Sequence, residues 1–282
     1  MATEIHFVDV GQGNMVLIKT DNDKNFVFDC NIHTDNEARV LKYLEKVFGS
    51  NSIYAFVCSH RDSDHIRGIQ RLHQKFPIKR IWDSGYPGTS TDTAEYHQYM
   101  ALRRQVINRK IEKKTYDDYG STRFRYLSAM DSRLEGNANA QGIVLKVEQR
   151  SFDKSNIQGS AVLPGDSDAE TWRKGILMDY HKADVSADIL MAAHHGSITF
   201  FDDHGYSTRC YYKEHIKAIS PAMTIISVGP NNYGHPNAAA LDIYRQESRG
   251  SNKGVKLVRT DKQHTMKLVL NEGGGWKLSS NQ

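Results

Sequence analysis

An apolar run, Ile53 to Cys58, breaks off into Ser59-His60-Arg61-Asp62-Ser63-Asp64-His65, so four side chains able to bind a metal ion fall within six residues. The run reads as a buried strand, and Ile66 to Lys75 has the spacing of a helix. The ligand types therefore sit on the turn between the two, where a rigid scaffold presents functional groups. If the turn is extended, His60, Asp62 and Asp64 alternate along it while His65 points elsewhere, and one loop can feed two adjacent metal ions. A plain solvated turn accounts for two such residues, not for a regular His-x-Asp-x-Asp-His.

The remaining composition narrows the class without deciding it. A chain of 282 residues is long enough for a layered core in one large domain. No apolar stretch approaches membrane-spanning length, and the chain starts without a basic segment leading into an apolar one, which reads as a cytoplasmic protein without membrane spans. Cys30, Cys58 and Cys210 lack Cys-x-x-Cys spacing, so neither a disulfide framework nor a thiolate zinc site is expected. The net charge of +4 is compatible with a polyanionic substrate and with much else.

Along the chain, Glu4 to Val10, Asn14 to Lys19 and Asn25 to Phe28 read as a strand meander, and Asn36 to Val47 as an amphipathic helix. Gly11-x-Gly13 is no dinucleotide fingerprint, because a strand follows it. Ile78 to Trp82 is another strand. Thr91 to Lys114 has roughly helical apolar spacing, with Arg103, Arg104, Arg109 and Lys110 on a basic face that either grips phosphates or is merely solvated. Asp117 to Asn139 reads as an irregular excursion. Gly142 to Val147, Gly159 to Leu163, Ala187 to Ala193 and Met223 to Val228 are strands; a helix is expected around Thr208 to Ile219 and another from Asn237 to Glu247. Val255 to Arg259 and Thr265 to Leu270 close the pattern, followed by a glycine-rich turn and a tail. Strands, helix, strand and site recur twice, as two β-layers with helices outside would require.

Three distant segments repeat the ending of the first: Pro164-Gly165-Asp166, His194-His195 and His235 each follow a predicted strand. With Phe7-Val8-Asp9-Val10-Gly11-Gln12-Gly13, Asp29, the Ser59 to His65 loop, Ala187-Asp188-Ile189-Leu190, His194-His195-Gly196-Ser197, Ser227 to Pro236 and Arg259-Thr260-Asp261, the chain resembles the metallo-β-lactamase fold superfamily over nearly its whole length. Within it, the sequence resembles the ComEC-type branch, the hydrolase domain of competence DNA-uptake proteins and their stand-alone relatives.

That resemblance implies a four-layer αββα sandwich over 1–282, with a basic helical insertion at about 86–138, and two divalent ions, zinc or manganese. It places His60, Asp62 and one of His194 and His195, with His194 favoured, on the first ion, and Asp64, His65 and His235 on the second, with Asp166 bridging. His195 would then be a proton donor, Asp29 would orient the ligand loop, and Asn232, Tyr233 and Ser197 would support the site. The commoner loop of the superfamily has histidine where Asp62 stands. The implied activity is phosphodiester hydrolysis by a hydroxide activated between the two ions, above all a nuclease acting alone or within a larger system; Arg103, Arg104, Arg109 and Lys110 would touch its nucleic-acid substrate. Hydrolysis of a phosphocholine-type ester, a thioester or a lactam is the alternative, and a non-catalytic binding module the third reading.

Overall fold

A computed structural model describes residues 2–202 and 211–281. Cys210, His204 and the first residues of the helix expected from Thr208 lie outside them. Two sheets form the centre. The first takes, in spatial order, Trp276–Asn281, Thr265–Leu270, Thr3–Phe7, Val16–Lys19, Asn25–Phe28, Ala55–Val57, Arg80–Asp83 and Ile107–Lys110. The second takes Leu257–Arg259, Met223–Ile226, Ile189–Met191, Ile157–Leu163, Val144–Arg150, Thr122–Ser128 and Thr115–Tyr119.

Three apolar layers hold these sheets and their helices together. Between the sheets, Phe26 packs its ring within 5.7 Å of the rings of Trp82, Tyr119 and Phe124, centroid to centroid. Outside the first sheet, Val40, Leu44 and Phe48 of the helix Glu37–Phe48, Ile69 and Leu72 of Ile69–Lys75, and Tyr99 and Leu102 of Ala94–Gln105 cover its other face. Outside the second, Trp172, Ile216 and Tyr244 do the same. Each such side chain stabilises the fold by roughly 1.5–3 kcal/mol on burial, and the sequence of layers, helix, sheet, sheet, helix, is the αββα sandwich.

Half of each sheet is parallel, and this positions the site. Asn25–Phe28, Ala55–Val57, Arg80–Asp83 and Ile107–Lys110 run parallel in one sheet. Ile157–Leu163, Ile189–Met191, Met223–Ile226 and Leu257–Arg259 do so in the other. Parallel strands covered on both faces need continuous apolar runs, which is what Ala55-Phe56-Val57 and Ile189-Leu190-Met191 are. The segments carrying His60, Asp166, His194 and His235 all follow the carboxyl ends of such strands.

Three expectations are corrected. The helix expected over Thr91 to Lys114 ends at Gln105, because the β-branched pair Val106-Ile107 leaves helical geometry and Ile107–Lys110 joins the sheet edge beside Arg80–Asp83. The excursion expected from Asp117 contains a hairpin, Thr115–Tyr119 with Thr122–Ser128, in which buried Phe124 and Tyr126 alternate with Arg123 and Arg125. Residues 86–138 thus supply strands to both sheets, where a basic helical insertion was expected. The tail after the last glycine turn is also a strand, Trp276–Asn281, paired with Thr265–Leu270.

Candidate metal centre

The loop after Ala55–Val57 is shaped by buried hydrogen bonds before any ligand is considered. Asp29, fully buried and in the left-handed region at φ 58°, accepts from Ser59 N–H and Ser59 Oγ, both at 2.7 Å. Its Oδ2 also lies 2.8 Å from His65 Nδ1, and Ser59 Oγ lies 3.0 Å from His60 Nδ1. A carboxylate can only accept, so Nδ1 of His65 carries its proton and the lone pair stays on Nε2. His195 is set the same way: its Nδ1 lies 3.1 Å from the Ser227 carbonyl.

The freed Nε2 atoms converge on one carboxylate. Asp166, itself 5% exposed, has His65 Nε2 at 3.2 Å and His195 Nε2 at 3.9 Å from Oδ1, and His194 Nε2 at 3.5 Å and His60 Nε2 at 3.8 Å from Oδ2. Asp64 Oδ2 is 3.2 Å from His195 Nε2 and 3.9 Å from His65 Nε2. Ligand atoms of His60, His65 and Asp166 lie within 4.8 Å of one another, as do those of Asp64, His65 and His195. Asp62 stands beside the first group, with Oδ2 3.8 Å from His60 Nε2. It is anchored by a residue that sequence reasoning missed: Thr89 donates its N–H to Asp62 Oδ1 at 2.6 Å and its Oγ1–H to Oδ2 at 2.7 Å.

These residues fit a cation. Nε2 of His60, His65 and His195 and Oδ1 of Asp166 are all buried without a hydrogen-bond partner. Each buried group left unsatisfied costs about 1–3 kcal/mol, and four at one point are tolerable only if something else takes their lone pairs. The electrostatics agree. Burial opposes charge on His65, yet Asp166, Asp29 and Asp64 hold its pKa well above the usual histidine value. Burial likewise opposes charge on Asp166, and His65, His194 and His195 pull it well below the usual carboxylate range. The pocket favours positive charge beside its carboxylates, whether proton or metal ion. Imidazole and carboxylate are donors suited to zinc and manganese alike.

Several placements differ from the expected ones. Asp64 and His65 are not on extended backbone: Asp62 precedes a helical turn, Ser63–Ile66, that carries both. His194 and His195 both face Asp166, and His195, 1% exposed, is the deeper, with its Nε2 against Asp64; His194 stands nearer solvent at 27%. His235 lines the same cleft as Asp64 and Asp166, with its Nδ1 buried and without a hydrogen-bond partner. Its ring lies 5.4 Å from that of His194, centroid to centroid, at the wall of the cleft. Ser197 Oγ accepts from Thr199 N–H at 3.3 Å and so caps the turn after the histidines. Asn232 and Tyr233 are exposed at the cleft mouth, Tyr233 by 77%. Arg103 is tied to buried Asp83 and Arg109 to Asp117, Arg104 and Lys110 are exposed, and none of the four lines the cleft.

A cleft of about 550 Å³ opens over Asp166. Besides the expected residues it is lined by Gln12, Arg67 and Asn139, and the side-chain oxygens of Gln12 and Asn139 are buried without partners. Gln12 had a signal, since it stands between Gly11 and Gly13. At Gly13, φ 134°, a Cβ would lie 2.8 Å from the Asp64 carbonyl, and at Gly165, φ 56°, 2.8 Å from Ser59 Cβ. Both glycines let backbone close against the ligand loop.

The family model of the metallo-β-lactamase superfamily matches residues 8–128 of this chain. The chain is 26% identical over 270 residues to the competence protein ComA of Neisseria gonorrhoeae, an alignment that takes in 94% of this chain. The chain spans 32% of that relative's length. Among solved structures it is similar to the metallo-β-lactamase fold protein YhfI of Bacillus subtilis, with a TM-score of 0.51 and 11% identity over 99% of this chain and 100% of that one. It is also similar to CmlA, a diiron β-hydroxylase from Streptomyces venezuelae, with a TM-score of 0.55 and 10% identity over 99% of this chain and 54% of that one. Identities this low speak for the fold alone. Among the described residues, no helix is long and apolar enough to cross a membrane.

Proposed function

We propose that this chain is a metal-dependent phosphodiester hydrolase acting on nucleic acid, with two divalent ions, zinc or manganese, that Asp166 and the imidazoles around it would hold. The observation that carries the reading is the convergence of four imidazole Nε2 atoms within 3.9 Å of the two Asp166 oxygens, three of them buried without hydrogen bonds. The similarity to a competence protein supports nucleic acid as the substrate.

In this reading His60 and His194, with Asp62 in reach, would hold one ion, and Asp64, His65 and His195 the other. Two such ions supply Lewis acidity toward the phosphoryl oxygens and lower the pKa of a water at the site. The protein does the positioning. Asp29 and Ser59 fix the His65 and His60 rings, the Ser227 carbonyl fixes His195, and Thr89 fixes Asp62. Outer contacts of this kind keep ligands in one tautomer and orientation. Because His195 Nε2 is buried against Asp64, proton delivery to the leaving oxygen falls to His235, the partly buried ring of the cleft wall.

The test is cleavage of labelled single- and double-stranded DNA and RNA with added zinc or manganese, beside the same assay on Asp166→Ala. Cleavage by wild type at least a hundredfold faster than by the variant is expected. No cleavage by wild type, or equal rates, contradicts the reading.

A further inference from the structure

The cleft over Asp166 does not end at His235. Pro230, Asn231 and His235 also line a second depression of about 510 Å³. That one shares Asp9 and His264 with a third, of about 840 Å³, along the helix Glu37–Phe48. Through these shared lining residues the three adjoin one another from the candidate metal centre to that helix.

The path is cationic beyond what the chain's composition supplies. Lys and Arg outnumber Asp and Glu only 37 to 33 in the whole sequence. The second and third depressions are lined by Arg39, Lys42, Lys46, Arg259 and Lys262 against two carboxylates, Asp9 and Asp261. Asp9 lies 3.6 Å from Arg39 and 3.7 Å from His264, and Asp261 pairs with Arg259 at 2.7 Å, so the carboxylates neutralise only part of this charge. Lys42 and Lys46 are exposed, and Lys262 is 70% exposed with a single contact at 4.0 Å, to Asp261. On the helix, Arg39, Lys42 and Lys46 fall at i, i+3 and i+7 and share one side. A face covering only its own helix would need no connection to the cleft; this one adjoins it through Asp9, His264 and His235.

We infer that this path is the track of the nucleic-acid strand leading away from the reacting phosphate, with Lys42, Lys46 and Lys262 meeting successive backbone phosphates. The inference rests on the nuclease reading above. It moves the expected phosphate contacts from Arg103, Arg104, Arg109 and Lys110 to the other half of the first sheet, near Thr3–Phe7 and Thr265–Leu270. Lysine contacts to phosphates release counterions, so they give a steep salt dependence without sequence preference.

The experiment compares wild type with the triple variant Lys42→Gln/Lys46→Gln/Lys262→Gln, metal-supplemented, on a labelled 20-mer and on bis(p-nitrophenyl) phosphate, which is too short to reach the track. For the 20-mer, kcat/KM is expected to fall at least tenfold at about 0.1 M salt, and the slope of log(kcat/KM) against log salt to shrink by about two to three. The small diester should be cleaved by both proteins alike, which also reports intact folding, and the corresponding triple arginine variant should restore the 20-mer rate. An unchanged 20-mer rate and slope in the glutamine variant, or equal losses on both substrates with no rescue by arginine, overturns the track. Wild type that cleaves the small diester but no nucleic acid overturns the nuclease reading itself.

Discussion

Asp29 Oδ2 and His65 Nδ1 lie 2.8 Å apart, and neither side chain has any exposure to solvent. The contact sets which nitrogen of His65 faces Asp166, although Asp29 itself touches no substrate. Removing such an outer partner typically weakens metal binding 10- to 100-fold. Asp29→Ala is therefore expected to lower zinc affinity by about that factor, read by competition with a chromogenic chelator. An unchanged affinity would show that His65 is oriented by something else.

A second carboxylate holds the same loop from outside the site. Arg61, between His60 and Asp62, reaches Asp83 Oδ2 at 3.0 Å, and Tyr99 OH and Arg103 Nε reach the same oxygen at 2.6 and 2.7 Å. Asp83 is 1% and Arg61 6% exposed. Deleting one partner of a buried pair leaves the other charge uncompensated, at a cost of about 3–5 kcal/mol. Asp83→Ala should lose about that much in urea unfolding, and Asp83→Asn, which keeps hydrogen-bonding capacity, less. Equal losses would mean that packing alone is at stake.

His215, which is not among the candidate ligands, gives the fold a pH dependence of its own. It is fully buried, with its ring centroid 4.2 Å from that of Phe200 and 5.9 Å from that of Trp172, and burial pushes its pKa down to about 3. An unfolded histidine titrates near 6.5. Between these values the unfolded chain binds the extra proton, so the contribution is fully present above about pH 6.5 and is lost as pH falls toward 3. From pH 7 to 4.5 wild type should lose roughly 2–3 kcal/mol more than His215→Leu. Parallel losses in urea titrations of the two proteins would contradict this.

How much of this could be read beforehand depended on how local the cause was. The parallel strands ending at His60, Asp166 and the histidine pair were legible because continuous apolar runs followed by ligand types are sequence patterns. The hairpin Thr115–Tyr119 and Thr122–Ser128 was missed, because the charges around it obscured the alternation of Phe124 and Tyr126 with arginines. The basic face assigned to Arg103 and Arg109 could not be judged from spacing, because their partners Asp83 and Asp117 are fixed only by the fold. Nor could one sequence separate His194 from His195, which share a turn whose left-handed φ values, 48° and 54°, turn both rings toward Asp166. Thr89 was invisible for the same reason: its contact with Asp62 spans 27 residues.

In the proposed function Asp166 would be the carboxylate shared by two ions. The most direct measurement is metal content per chain by elemental analysis, after incubation with zinc or manganese and removal of the excess, for wild type and Asp166→Ala. Close to two equivalents for wild type and fewer than one for the variant are expected. Less than one equivalent in wild type, or the same content in both proteins, would contradict it.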